Sequence, residues 1–178
     1  MSLESLISQL KNQSSMPPVE SWNPDYCGEI DLVIKHDGTW FYQGTPFKRL
    51  NMVKLFASVI KKENDEYFLV TPVEKIKITV EQYPFVISQW QWEDEKQSRI
   101  VVSTNLDDTF YLDEDHPLTT DNQGNLVVTV RRNLQAIVHR NVYYQWIEEG
   151  QENEDGTALC LKSADQTFVL GNLTDETL

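Results

Sequence analysis

The chain has 178 residues, 40% of them hydrophobic and 11% aromatic. Each buried aromatic removes roughly 150–250 Å² from water, so a sizeable core is available and disorder throughout is excluded. The net charge of −13 disfavours nucleic acid as a partner, because that affinity comes from Lys and Arg neutralising phosphates, yet a local basic pocket can still hold a small anion.

Leu3, Leu6, Ile7 and Leu10 fall on one stripe and predict a short helix beginning near Ser2, followed by a linker from Asn12 to Pro18. This opening has neither a basic n-region nor a continuous apolar run, and no later segment approaches the roughly 18 apolar residues of a membrane span. Cys27 and Cys160 lie far apart and outside any CxxC spacing, so no disulfide framework or zinc site is signalled. A cytoplasmic location is expected. Trp22 to Gly28 is a turn-rich entry to a half-buried strand in which Ile30, Leu32 and Ile34 alternate with Asp31, Val33 and Lys35. Asp37-Gly38 is a hairpin signal, and Trp40 and Tyr42 alternate with Phe41 on the return strand, which Gly44-Thr45-Pro46 closes. From a cap at Asn51, the stripe Met52, Leu55, Phe56, Val59 and Ile60 predicts a helix ending at Lys61-Lys62. Tyr67 to Thr71 reads as a strand, Pro72 interrupts it, and Ile76, Ile78 and Val80 mark the next.

After Tyr83-Pro84 the character changes. Residues 85–92, 99–104, 109–112, 126–131 and 134–138 read as short strands separated by turns, the pattern of a small barrel or sandwich. Asn141 is placed to cap a helix carrying Val142, Tyr143, Trp146 and Ile147; Glu148 to Gly156 is an acidic loop, and a hairpin turns around Ser163 to Gln166. The fold class expected is α+β with two small domains, an N-terminal sheet plus helix and a C-terminal β-roll or barrel with one helix. The boundaries expected are 1–18 for the helix and linker, 19–83 and 84–172 for the domains, and 173–178 for a tail.

The words Trp22-Asn-Pro, Cys27-Gly-Glu-Ile-Asp31, Asp37-Gly-Thr-Trp-Phe-Tyr42, Pro46, Arg49, Leu55-Phe56 and Leu69-Val-Thr-Pro-Val-Glu-Lys75, with Arg140 and Tyr143-Tyr144, together resemble the bacterial domain-of-unknown-function family 1285. The resemblance spans residues 17–172. It implies a core built by duplication, a C-terminal domain superficially like a pleckstrin-homology fold, a nucleotide-type ligand between the domains and a part in signal transduction. It brings no assigned catalytic residues.

Candidate ligand-binding residues fall in three places. Lys48, Arg49 and Lys54 flank the start of the second predicted helix, where an anion is favoured, and Trp40 and Tyr42 offer rings for a planar base. Thr71, Glu74 and Lys75 surround a rigid turn. Arg131, Arg132, His139 and Arg140 form the C-terminal basic concentration, from which Arg131 and Arg140, with Tyr144, are the candidates. Asp107-Asp108 and Asp113 to Asp115 lack the Gly and terminal Glu of a calcium loop, and His36, His116 and His139 have no ligand spacing. No GxGxxG, GxxxxGK[ST] or GxSxG word occurs. The reading is therefore a ligand-binding or sensor protein, leaning away from an enzyme, with no catalytic residue, metal or cofactor signalled and a small anionic or nucleotide-like ligand as partner. A protein-interaction adaptor, or an enzyme acting on a phosphorylated metabolite, are the alternatives.

Overall fold

The computed structural model of the chain describes residues 3–11 and 16–174; the helix start expected near Ser2, residues 12–15 of the linker and the last four residues of the tail lie outside the described residues. The chain divides into two compact units, Met1–Gln82 and Tyr83–Leu178.

In the first unit, strands β1 (Tyr26–Ile34), β2 (Trp40–Tyr42) and β3 (Thr45–Pro46) form one antiparallel meander, and β4 (Ile60–Glu63), β5 (Glu66–Val70) and β6 (Lys75–Val80) form another. The first and last strands then pair in parallel, giving the order β3-β2-β1-β6-β5-β4. Helix α1 (Leu3–Leu10) buries Leu3, Leu6 and Leu10, and helix α2 (Leu50–Ala57), between the meanders, buries Val53, Phe56 and Ala57. Helices this short are marginal alone, so apolar burial holds them in place.

The second unit repeats the plan. Strands β7 (Phe85–Trp92), β8 (Ile100–Thr104) and β9 (Thr109–Tyr111), then β10 (Leu118–Thr120), β11 (Leu126–Arg131) and β12 (Leu134–Val138), are arranged β10-β11-β12-β7-β8-β9, again with first and last strands parallel. The correspondence reaches single hydrogen bonds. Ile34 pairs with Val80 and its carbonyl accepts from the Glu81 amide at 2.9 Å; Ile87 pairs with Val138 and its carbonyl accepts from the His139 amide at 2.9 Å. Helix α3 (Arg140–Glu149) follows β12, and β13 (Gln151–Glu152), β14 (Ala158–Ser163) and β15 (Gln166–Asn172) form a third sheet.

Several local expectations are corrected. The second helix ends at Ala57, and Ile60 to Glu63 form β4, paired with β5. Val59 and Ile60 mimic a helical stripe because a short apolar run satisfies both periods. The deciding signal is Asn64-Asp65, whose φ values of 50° and 66° make a two-residue hairpin turn. Arg49, not Asn51, occupies the cap position of α2 and supplies no side-chain cap. At α3 the cap is His139, whose Nδ1 accepts from the Asn141 amide at 3.2 Å, so Asn141 lies two residues past the cap position. The acidic loop contains β13, and β10 adds a strand where none is expected.

Candidate functional site

The N-terminal candidates fall in different settings, and of them Thr71 and Glu74 are joined by a hydrogen bond. Trp40 is 3% exposed, and Tyr42 packs on Phe47, which meets Phe56 of α2, so these rings build core. Arg49 is exposed, with its carbonyl accepting from the Met52 and Val53 amides; Lys54 lies one turn further along α2. Thr71 is fully buried, and its Oγ1 accepts from the Val73 and Glu74 amides at 3.3 and 3.0 Å. That bond pattern makes it the pin of the β5–β6 turn. Glu74 turns to α1 and accepts from Gln9 Nε2 at 3.2 Å and Ser5 Oγ at 3.4 Å.

Lys75 points the other way, into a cluster that the sequence did not announce. Its ammonium bonds Glu63 and sits 4.4 Å from the centre of the Phe68 ring, while Lys61 reaches the same carboxylate at 3.4 Å. Lys61 is buried, and its ammonium also donates to the Trp22 carbonyl at 3.0 Å and Asn23 Oδ1 at 2.9 Å. Strand β4 reads Ile-Lys-Lys-Glu, so residue type gave no signal that Lys61 would be buried. The Lys75 hydrogen bond holds the Glu63 carboxyl below its ordinary range, against the opposing effect of burial, and Lys61 adds to the lowering. Because the folded value is depressed, this stabilisation is present above the unfolded pKa and is lost as pH falls through the folded one. Glu63→Gln is therefore expected to cost about 1 kcal/mol at neutral pH, after discounting for solvent screening. In urea titrations the gap from the native chain should narrow below about pH 4; a gap independent of pH would refute the assignment.

In the second unit, Arg131 donates to Asp108 Oδ1 at 3.2 Å and lies 4.8 Å from the Phe85 ring centre. Arg140 and Tyr144 come together. They are one helical turn apart on α3, Arg140 Nε donates to the Tyr144 hydroxyl at 3.0 Å, and the guanidinium carbon lies 5.4 Å from the ring centre. They line a concavity of about 400 Å³ with Tyr143, Leu126, Ile137, Val138 and the Gly124-Asn125 turn. Among the described residues no Asp or Glu lines it. Tyr144 is half exposed, and the rings of Tyr143 and Tyr144 meet edge to face at 5.7 Å. Several other basic side chains are held by carboxylates: Lys35 by Glu81, Lys77 by Glu66 and Arg99 by Glu93. Among the described residues Arg140 has no carboxylate partner, and its terminal amino groups make no hydrogen bond. The open edge of such a fork matches phosphate or carboxylate geometry.

Among the described residues no group of three or more His, Cys, Asp or Glu is placed to hold a metal ion, and no helix is long and apolar enough to cross a membrane.

Two units, each built on a six-stranded sheet of one topology whose first and last strands pair in parallel, define a two-domain α+β protein with a duplicated architecture. The chain belongs to the DUF1285 family: residues 17–83 match its "Domain of unknown function (DUF1285), N-terminal domain" and residues 84–170 its "Protein of unknown function (DUF1285), C-terminal domain". A crystal structure of a DUF1285 family protein from Silicibacter pomeroyi DSS-3 is similar at 34% identity over 94% of each chain, with a TM-score of 0.83. Another, from Shewanella baltica OS155, is 30% identical over 66% of this chain and 91% of its own, with a TM-score of 0.56. No curated protein matches the chain.

Proposed function

We propose that the chain is a ligand-binding or sensor module whose second unit takes a small anionic, nucleotide-like molecule at Arg140 and Tyr144. The observation that carries this reading is the Arg140 guanidinium, oriented by the Tyr144 hydroxyl beside a concavity that no carboxylate of the described residues lines. A phosphate meets the open edge of the fork, and a planar base packs against the tyrosine rings. The net charge of −13 works against a long polyanion, whose many phosphates would meet the whole surface, and leaves a small anion that sees only the local guanidinium.

Thermal shift with inorganic phosphate and a panel of nucleoside mono- and diphosphates tests this. A ligand at about 100 times its Kd adds about 2.7 kcal/mol, a readily measured rise in Tm. The native chain and Arg49→Ala should show the rise, and Arg140→Ala should lose it. No shift with any anion, or a shift that Arg140→Ala retains, would sink the proposal.

A further inference from the structure

Helix α3 borders a second concavity of the same unit, of about 480 Å³, with opposite chemistry. Arg140, Tyr143 and Tyr144 line the first; Asn141, Val142 and Gln145, each offset by a single residue, line the second. Its remaining lining comes from β7, β8 and β9. None of its ten lining residues is Asp, Glu, Lys, Arg or His, in a chain where 24% of residues are charged. The lining is instead amide, hydroxyl and indole, with two valines.

We infer that this concavity binds a neutral, hydroxyl-rich ring, a mono- or disaccharide. Trp90 Nε1 donates to Gln145 Oε1 at 2.8 Å, which fixes the indole against the helix and commits the acceptor end of that amide. The amino end of Gln145 and the side-chain amides of Gln89, Gln91 and Asn141 make no hydrogen bond among the described residues. Each amide offers donor and acceptor together, the complement of a hydroxyl that is also both. Ser103 and Thr109, joined hydroxyl to hydroxyl at 3.1 Å, extend the same bifunctional surface across two strands. An ion entering here would lose water without meeting an opposite charge, which disfavours it. A sugar loses less, because each of its hydroxyls can exchange water for an amide or hydroxyl of the lining. The volume lies within the range of small-molecule sites.

The test uses the full chain with nitrogen-15 in its indoles, the Trp90 N–H signal being assigned by its loss in Trp90→Phe. Glucose, N-acetylglucosamine, maltose and cellobiose are titrated to millimolar concentration, with adenosine monophosphate as the charged comparison. At least one sugar should shift the Trp90 signal, and Gln89→Ala with Gln91→Ala should weaken that sugar by about tenfold, which corresponds to about 1.4 kcal/mol. Both glutamines are exposed, so the double variant should keep the native Tm; Arg140→Ala should leave the sugar shift intact. Silence with all four sugars, a response to the nucleotide alone, or an undiminished shift in the double variant would each overturn the inference.

Discussion

Trp146→Ala is expected to lower the unfolding free energy by about 4 kcal/mol. Trp146 is fully buried, is among the largest such side chains described, and meets Trp90 edge to face at 6.2 Å between ring centres. Trp90 in turn meets Trp92 at 5.8 Å, so truncation opens a cavity bordered by rigid rings that cannot collapse into it. The indole Nε1–H of Trp146 finds no acceptor among the described residues. Trp146→Phe should therefore be far milder than alanine, because it removes an unpaired donor while keeping most of the apolar volume. Urea unfolding of both variants checks the pair of expectations; equal losses would show that volume is not what Trp146 contributes.

Ser163→Ala removes one oxygen and is expected to cost about 3 kcal/mol. The side chain is 1% exposed, and its Oγ accepts from the Ile100 amide at 2.9 Å while donating to the Leu112 carbonyl at 2.6 Å. Beside it the Ala164 amide donates to the Ser98 carbonyl at 3.0 Å. This hydroxyl thus stitches the β14–β15 hairpin to the ends of β8 and β9, and alanine would leave two buried backbone groups without their partner. The midpoint of urea unfolding should fall with an unchanged slope, and the Ile100 amide should exchange its hydrogen faster. If stability drops while Ile100 exchange stays slow, the loss comes from somewhere else.

Much of the fold could be read from the residues because the strands obey simple alternation. The sequence ranges 85–92, 126–131 and 134–138 coincide with β7, β11 and β12, and the stripe Leu3, Leu6, Ile7, Leu10 coincides with α1. What escaped has a physical reason each time. Strand β10 is only Leu118–Thr120, too short for a period, and it exists because β11 supplies its hydrogen bonds. Strand β4 hides behind a helical stripe. The parallel closures β1–β6 and β7–β12 are tertiary pairings with no local signature.

The candidate site was legible in part. The sequence picked out Arg140 and Tyr144, which the helix brings into contact. Trp40 and Thr71 were singled out by residue type, and type cannot tell a core indole or a turn-pinning hydroxyl from a ligand contact. The second concavity could not be found by scanning for charge, since its amides and hydroxyls are scattered over three strands and a helix. Only register gathers them: Gln89 lies opposite Ser103, which lies opposite Thr109.

The parallel closure also constrains how the chain can be made. In each six-stranded sheet the strand synthesised first is held by the strand synthesised last, so Ile34 waits for Val80 and Ile87 for Val138. A nascent sheet can form its first meander by local hairpins, yet its first strand keeps one edge unpaired until the sixth strand leaves the ribosome. Closure is then a single late event that happens twice, once for each unit. A ribosome stalled just before Lys75 or just before Leu134 should hold a chain that proteases cut readily, and a few residues of further synthesis, once they clear the exit tunnel, should change that abruptly.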